Sequence, residues 1–111
     1  MLALDTSRHG ARSVVRVGGR LDLVSSAEMR SALEYALDDQ PSRIVVDLEG
    51  VDFMDSTGLG VLVAAQRKAQ SAGSTIVLAS ARPIVATVLR VTSAIELLPL
   101  YDTTDQALAA E

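Results

Sequence analysis

Apolar and polar positions change period several times along the chain, and each change marks an element. Val15, Val17, Gly19, Leu21 and Leu23 alternate with Arg16, Gly18, Arg20 and Asp22. Period two is the pattern of a half-buried strand, here with an arginine-bearing outer face. Arg8, Arg12, Arg16 and Arg20 also fall four apart, as on a helix, but the β-branched alternation and the Gly18-Gly19 pair favour the strand. Paired glycines inside a strand point to a bulge or a close approach of backbones. Upstream, Leu2 to Asp5 predicts a short strand, and Ser7 to Ala11, with Gly10, a turn.

Downstream the period becomes helical. Met29, Leu33, Ala36 and Leu37 follow Ser25-Ser26-Ala27-Glu28, which reads as a capping box, and Asp38-Asp39-Gln40-Pro41 ends the helix. Arg43 to Leu48 is a continuous apolar run, predicting a buried strand, with a loop over Glu49 to Asp55. A second helix is expected from about Thr57, closed by Gly73 in the place of a C-terminal cap glycine. Thr75 to Ala79 predicts another buried strand. Pro83 marks the first turn of a third helix with Ile84, Val88 and Val91 along one face. Leu97 to Tyr101 predicts a short last strand, and Thr103 with Gln106 a second capping box before a short helix. Strands alternating with helices imply an α/β domain, and the tight turn joining the opening strands makes its sheet mixed. There is no internal repeat, low-complexity tract or linker, so residues 1–111 read as one domain.

Composition narrows the function classes. At 49% hydrophobic residues the core is well supplied, and with 3% aromatic residues it must be aliphatic. Few aromatics, a net charge of −4 and a pI near 4.9 argue against direct nucleic-acid binding, which favours stacking platforms and a basic face. The absence of cysteine excludes disulfides and thiolate metal sites and fits a reducing compartment. The N-terminus lacks a signal-peptide pattern, and the longest apolar run, Gly58 to Ala65, is far short of the ~20 residues that span a bilayer. The expectation is a cytoplasmic protein without a membrane partner.

The candidate chemistry gathers at Asp55-Ser56-Thr57-Gly58-Leu59-Gly60, where a strand-leaving loop enters a helix. Any of Asp55, Ser56 and Thr57 suits an N-cap, and the free amides and helix dipole of such a place also tolerate a phosphate. Gly58 and Gly60 each cost a helix about 0.8–1 kcal/mol relative to Ala. Two such costs suggest close backbone packing or a surface left bare for a partner. A phosphate-binding loop is the rival use. Yet Lys68, the sole lysine, lies well inside the helix, and Val63 stands where a dinucleotide fingerprint needs its third glycine. Asp47, Glu49, Asp52 and Asp55 miss the spacing of a calcium loop. Asp47-Leu48-Glu49 echoes a phosphatase Asp-x-Asp pair, but its second acid is a Glu, one methylene too long, and the chain is too short for that fold's later lysine and acids. The segment reads as a solvated acidic loop. His9, the one histidine, completes neither a zinc site nor a hydrolase triad. No catalytic residues, metal or cofactor are expected, and the chain does not read as an enzyme.

The run IVVDLEGVDFMDSTGLGVL, with Gly19-Arg20-Leu21-Asp22 upstream, resembles the anti-sigma factor antagonist branch of the STAS domain family. The resemblance extends over essentially the whole chain and implies a STAS-like fold, a mixed four- to five-stranded sheet packed with about four helices. It also implies that Ser56 is phosphorylated by an anti-sigma factor that is itself a serine kinase, with Thr57 as a neighbouring hydroxyl. Asp22, Asp55, Ser56, Thr57, Gly58, Leu59 and Gly60 would form the partner surface. The unphosphorylated protein would bind the kinase and release its sigma factor, and a phosphatase would reset Ser56. A non-switching scaffold or transporter-associated module is the alternative within the family. The sequence departs from the family pattern at Arg20, where a Glu is usual, and at Thr92-Ser93-Ala94, where a Gly usually ends the third helix.

Overall fold

A computed structural model describes residues Met1–Glu111 and shows an α/β fold with a five-stranded mixed sheet. The strands are β1 (Ala3–His9), β2 (Arg12–Leu21), β3 (Arg43–Met54), β4 (Ile76–Ala79) and β5 (Leu100–Tyr101), and they lie side by side in that order. β1 is antiparallel to β2, while β2 to β5 are mutually parallel. The crossovers carry helices α1 (Ser26–Asp38), α2 (Ser56–Ser71) and α3 (Pro83–Val91), followed by a 3-10 turn (Ala94–Glu96). Each crossover advances one strand in the same direction, so right-handed connections place all three helices on one face of the sheet. Met29 and Leu33 of α1, Leu62 of α2 and Leu89 of α3 accordingly share one core with Ile44, Leu48, Ile76 and Leu78.

The opposite face is covered in part by α4 (Thr104–Ala109), whose Ala107 closes a small cluster of Val14, Val45, Val77 and Ala79. Its N-terminus is capped as expected, Thr103 Oγ1 accepting the Gln106 amide at 3.1 Å. Its other end is held by two arginines: Arg43 Nη1 donates to the carbonyls of Ala107 at 2.8 Å and Ala110 at 2.9 Å. Arg12 Nη1 also donates to Ala110, at 2.6 Å. Cations suit the carbonyl-rich end of a helix. Gln66, buried in the middle of α2, ties the layers together. Its Nε2 donates to Ile76 O at 2.8 Å and Leu97 O at 2.9 Å, and its Oε1 accepts the Ile76 amide at 2.7 Å.

Several local expectations need correcting. β1 runs to His9 instead of stopping at Asp5, because Thr6 to His9 continue the ladder on an exposed edge where polar side chains cost nothing. Glu49 to Met54 is strand, not loop. β3 continues past its last pairing with β4, at Asp47, and its polar stretch there pairs with β2 alone. The Ser25–Glu28 capping box does not form: Ser25 caps nothing with its side chain, and Glu28 accepts the Leu2 amide at 3.3 Å. In α3 the buried face is Val85, Ala86 and Leu89. Of the expected stripe, Val88 packs half-buried on the core, whereas Ile84 and Val91 point to solvent, because apolar residues cover most of the helix and spacing alone does not choose the side. Leu23 falls beyond β2 and is exposed rather than inward-facing. At the end of α3, Ser93 takes the left-handed conformation (φ 60°) that a glycine would adopt at lower cost. Gly73, with φ 81°, follows α2 as expected.

Gln66→Met keeps the volume of the side chain but orphans the buried amide and carbonyl of Ile76 and the half-buried carbonyl of Leu97, a buried group costing about 1–3 kcal/mol when unpaired. Urea denaturation is expected to show a loss of at least that for one group, and a loss below about 0.5 kcal/mol would contradict the role assigned to Gln66.

Candidate functional site

The carboxyl ends of β2 and β3 are neighbours because the strands are parallel and adjacent, and such ends are where open α/β sheets place their sites. Two irregularities bring these ends into position. Arg16 pairs with Asp47 but Gly18 with Gly50, and Gly19 pairs with Val51 but Arg20 with Phe53. β3 therefore carries one extra residue at each step, a bulge in both cases, which strengthens twist and turns the strand end. Gly18 and Gly50 make the first bulge possible, since a Cβ on Gly50 would lie 2.9 Å from Gly18 Cα.

Beyond the bulges the two chain ends lock. The Asp55 amide donates to Leu21 O at 3.1 Å. Asp55 then turns the chain into α2, its Oδ1 accepting the amides of Thr57 at 2.9 Å and Gly58 at 3.0 Å. Among the three cap candidates, Asp55 does the capping and Ser56 is the first helical residue. The amides that the sequence left free for a phosphate are thus already bound by a carboxylate. Ser56 is exposed and Thr57 half-buried.

The two glycines prove different in kind. Gly58 is buried against Leu21, where a Cβ would be 2.7 Å from the carbonyl carbon and would collide with its oxygen. Its bareness is explained inside the molecule and presents nothing to a partner. Gly60 is exposed, and a Cβ there would meet nothing within 4 Å. No internal contact accounts for its cost to the helix. Leu59 is a core residue, 8% exposed. Of the seven residues grouped by sequence, Ser56 and Gly60 therefore present an open face, Asp22, Asp55 and Thr57 are half-buried beside it, and Gly58 and Leu59 support it from below.

Asp22 lies next to this face through Leu21, but its carboxylate is occupied. Oδ1 accepts the Ser25 amide at 3.1 Å and Oδ2 lies 3.5 Å from Arg20 Nε. The Ser25 amide first, and the Arg20 guanidinium after it, hold the Asp22 carboxyl below the usual carboxylate range. Arg20 also stacks on Phe53, 4.0 Å from the ring centre. The remaining acids do not form a loop cluster. Asp47 is buried, accepting Thr104 Oγ1 at 3.1 Å and the Glu49 amide at 3.0 Å, with Arg16 Nε at 3.8 Å. No three acidic or histidine side chains gather as a metal would require. His9 pairs with Ser7 at the far end of the sheet. Lys68 bridges to Glu34 at 2.8 Å, joining α2 to α1.

Residues 3–107 match the family model for the STAS domain. An anti-sigma-F factor antagonist of Mycobacterium tuberculosis is 31% identical over 67 residues, 60% of this chain and 55% of that protein. The chain therefore spans only about half the length of that relative. An anti-sigma F factor antagonist of Paenibacillus polymyxa is 29% identical over 108 residues, 96% of this chain and 92% of its own. The crystal structure of an anti-sigma factor antagonist from Mycobacterium paratuberculosis is similar with a TM-score of 0.88 at 30% identity, over 97% of this chain and 92% of that one.

Substituting the two glycines separately is expected to give opposite results. Gly60→Ala should stabilise the isolated chain by about 0.8–1 kcal/mol, the helix-propensity difference. Gly58→Ala should destabilise it by about 1–3 kcal/mol or more, the cost of overpacking against rigid backbone. Equal signs in chemical denaturation would refute the distinction. The lowered Asp22 value has a sign as well: its stabilisation is complete above the unfolded carboxylate value and is lost as pH falls through the folded one. An NMR titration should place the Asp22 midpoint below 3.8, with the Ser25 amide shift following the same curve.

Proposed function

The chain belongs to the STAS domain family, and from that premise we propose that it is an anti-sigma factor antagonist switched by phosphorylation of Ser56. In this reading the unphosphorylated protein binds an anti-sigma serine kinase in the cytoplasm and frees its sigma factor. Phosphorylation ends the binding, and a phosphatase restores it. The chain itself performs no catalysis. The carrying observation is the exposed Ser56 at the first position of α2, released from capping by Asp55 and flanked by the open Gly60.

The geometry favours a switch that acts at the interface. A phosphate adds about −1.5 to −2 charge at pH 7. It would gain from the dipole of α2. Yet Asp55 already holds the Thr57 and Gly58 amides, so no cradle awaits the phosphate and it stays at the surface beside a carboxylate. A partner face built for a neutral hydroxyl then meets an unpaired charge, which costs several kcal/mol. About 3–4 kcal/mol corresponds to two to three orders of magnitude in affinity. The scaffold need not move. Gly60 adds to this reading, since a bare position on the same helical face as Ser56 lets a partner approach the backbone.

The test uses the kinase-type anti-sigma factors encoded in the same genome. Incubated with each of them and ATP, the wild-type chain should gain about 80 Da with one kinase, the gain should map to Ser56, and Ser56→Ala should abolish it. Ser56→Ala should bind that kinase, and Ser56→Asp should bind about 100-fold less tightly. Equal binding by the two variants would overturn the switch. Absence of any mass gain would make the chain a non-switching STAS scaffold.

A further inference from the structure

Resting on that reading of Ser56, we propose that Leu23 and Val24 are apolar anchors that seat in an uncharged recess of the anti-sigma kinase and hold it over Ser56. The pair occupies the turn between β2 and α1. Leu23 is 72% exposed and Val24 83%, and among the large apolar side chains only the terminal Met1 is more exposed than Val24. Turns are ordinarily filled by polar residues or glycine, so two adjacent large aliphatic side chains in water call for a reason.

The turn is rigid. Asp22 N donates to Ser25 Oγ at 3.1 Å, Ser25 N donates to Asp22 Oδ1 at 3.1 Å, and Ser25 Oγ donates to Arg20 O. These bonds turn the polar side chains of the turn inward: the Asp22 carboxylate is divided between Ser25 and Arg20, and the Ser25 hydroxyl is buried. The aliphatic pair is what the turn has left to offer. Because the bonds fix its backbone, little conformational freedom is lost when the two side chains are buried.

The pair is also fixed relative to Ser56. Leu21, two residues before Leu23, accepts the Asp55 amide and packs against Gly58, so turn and helix start form one rigid surface. A partner that grips Leu23 and Val24 is thereby registered on Ser56, and a charge in its recess would face two aliphatic side chains unpaired, because the Asp22 carboxylate is already shared between Ser25 and Arg20. The phosphate then decides whether the complex persists, and the aliphatic pair decides which kinase forms it.

The test is a titration of the double variant Leu23→Ser/Val24→Ser into the kinase that phosphorylates the wild-type chain, in the presence of ADP. The expected result is about a tenfold or greater loss of affinity, with the melting temperature of the free chain unchanged. The KM for Ser56 phosphorylation should rise while kcat stays near the wild-type value. Leu23→Met/Val24→Ile should bind within about threefold of wild type. Unchanged affinity of the serine variant, or a lowered melting temperature showing that the pair serves the fold, would overturn the proposal. If the wild-type chain itself binds no such kinase, the reading of Ser56 fails and takes the anchors with it; if wild type binds and the serine variant binds equally, only the anchors fail.

Discussion

The carbonyl of Leu21 is the meeting point of the molecule. It ends β2, accepts the amide of Asp55 at the end of β3, and leaves no room for any side chain at position 58. Remove that contact and the carboxyl ends of the two central strands part, taking with them the cap that starts α2 and the position of Ser56. A hydrogen bond and a close approach of backbones thus do together what neither would do alone. The bond sets the distance, and the glycine lets the helix accept it.

Reaching that meeting point is the work of the bulges. A regular pair would continue straight beyond the end of β4, with alternating residues on each face. Two extra residues in β3 reset the alternation, so that Val51 and Met54 point into the core and Phe53 stacks beneath Arg20. Polar residues at Glu49 and Asp52 stand where the insertions fall. A segment that looks loop-like is strand because its partner is β2 alone and its polar side chains meet water.

Much of this is legible from the amino-acid pattern. Buried strands at 43–48 and 75–79, the α1 stripe from Met29 and the cap glycine at Gly73 all follow from local periodicity, which local forces decide. The misreadings share a cause: each depended on what lay across the chain. Nothing within α3 tells which of two apolar faces the sheet will cover. Nothing near Ser25 reveals that its hydroxyl bonds back to Arg20 while Glu28 reaches Leu2. At the site, the sequence located the hydroxyl and the glycines but could not separate Gly58 from Gly60, because the difference between them is the carbonyl of residue 21. Leu23 continues the strand alternation in the sequence, although a stretch of Asp, two aliphatics and Ser is itself the signal of an unusual turn.

The hold on α4 carries a lesson of another kind. Arg12 and Arg43 reach only main-chain carbonyls, which every amino acid possesses. Apart from the Thr103 cap, the Thr104 bond to Asp47, and Ala107 with the half-buried Leu108 under the sheet, the helix is fastened without reading its side chains. Its outward positions are consequently almost free of information: many sequences would fold there to the same shape, so drift along α4 would leave the architecture intact while erasing its trace in any alignment.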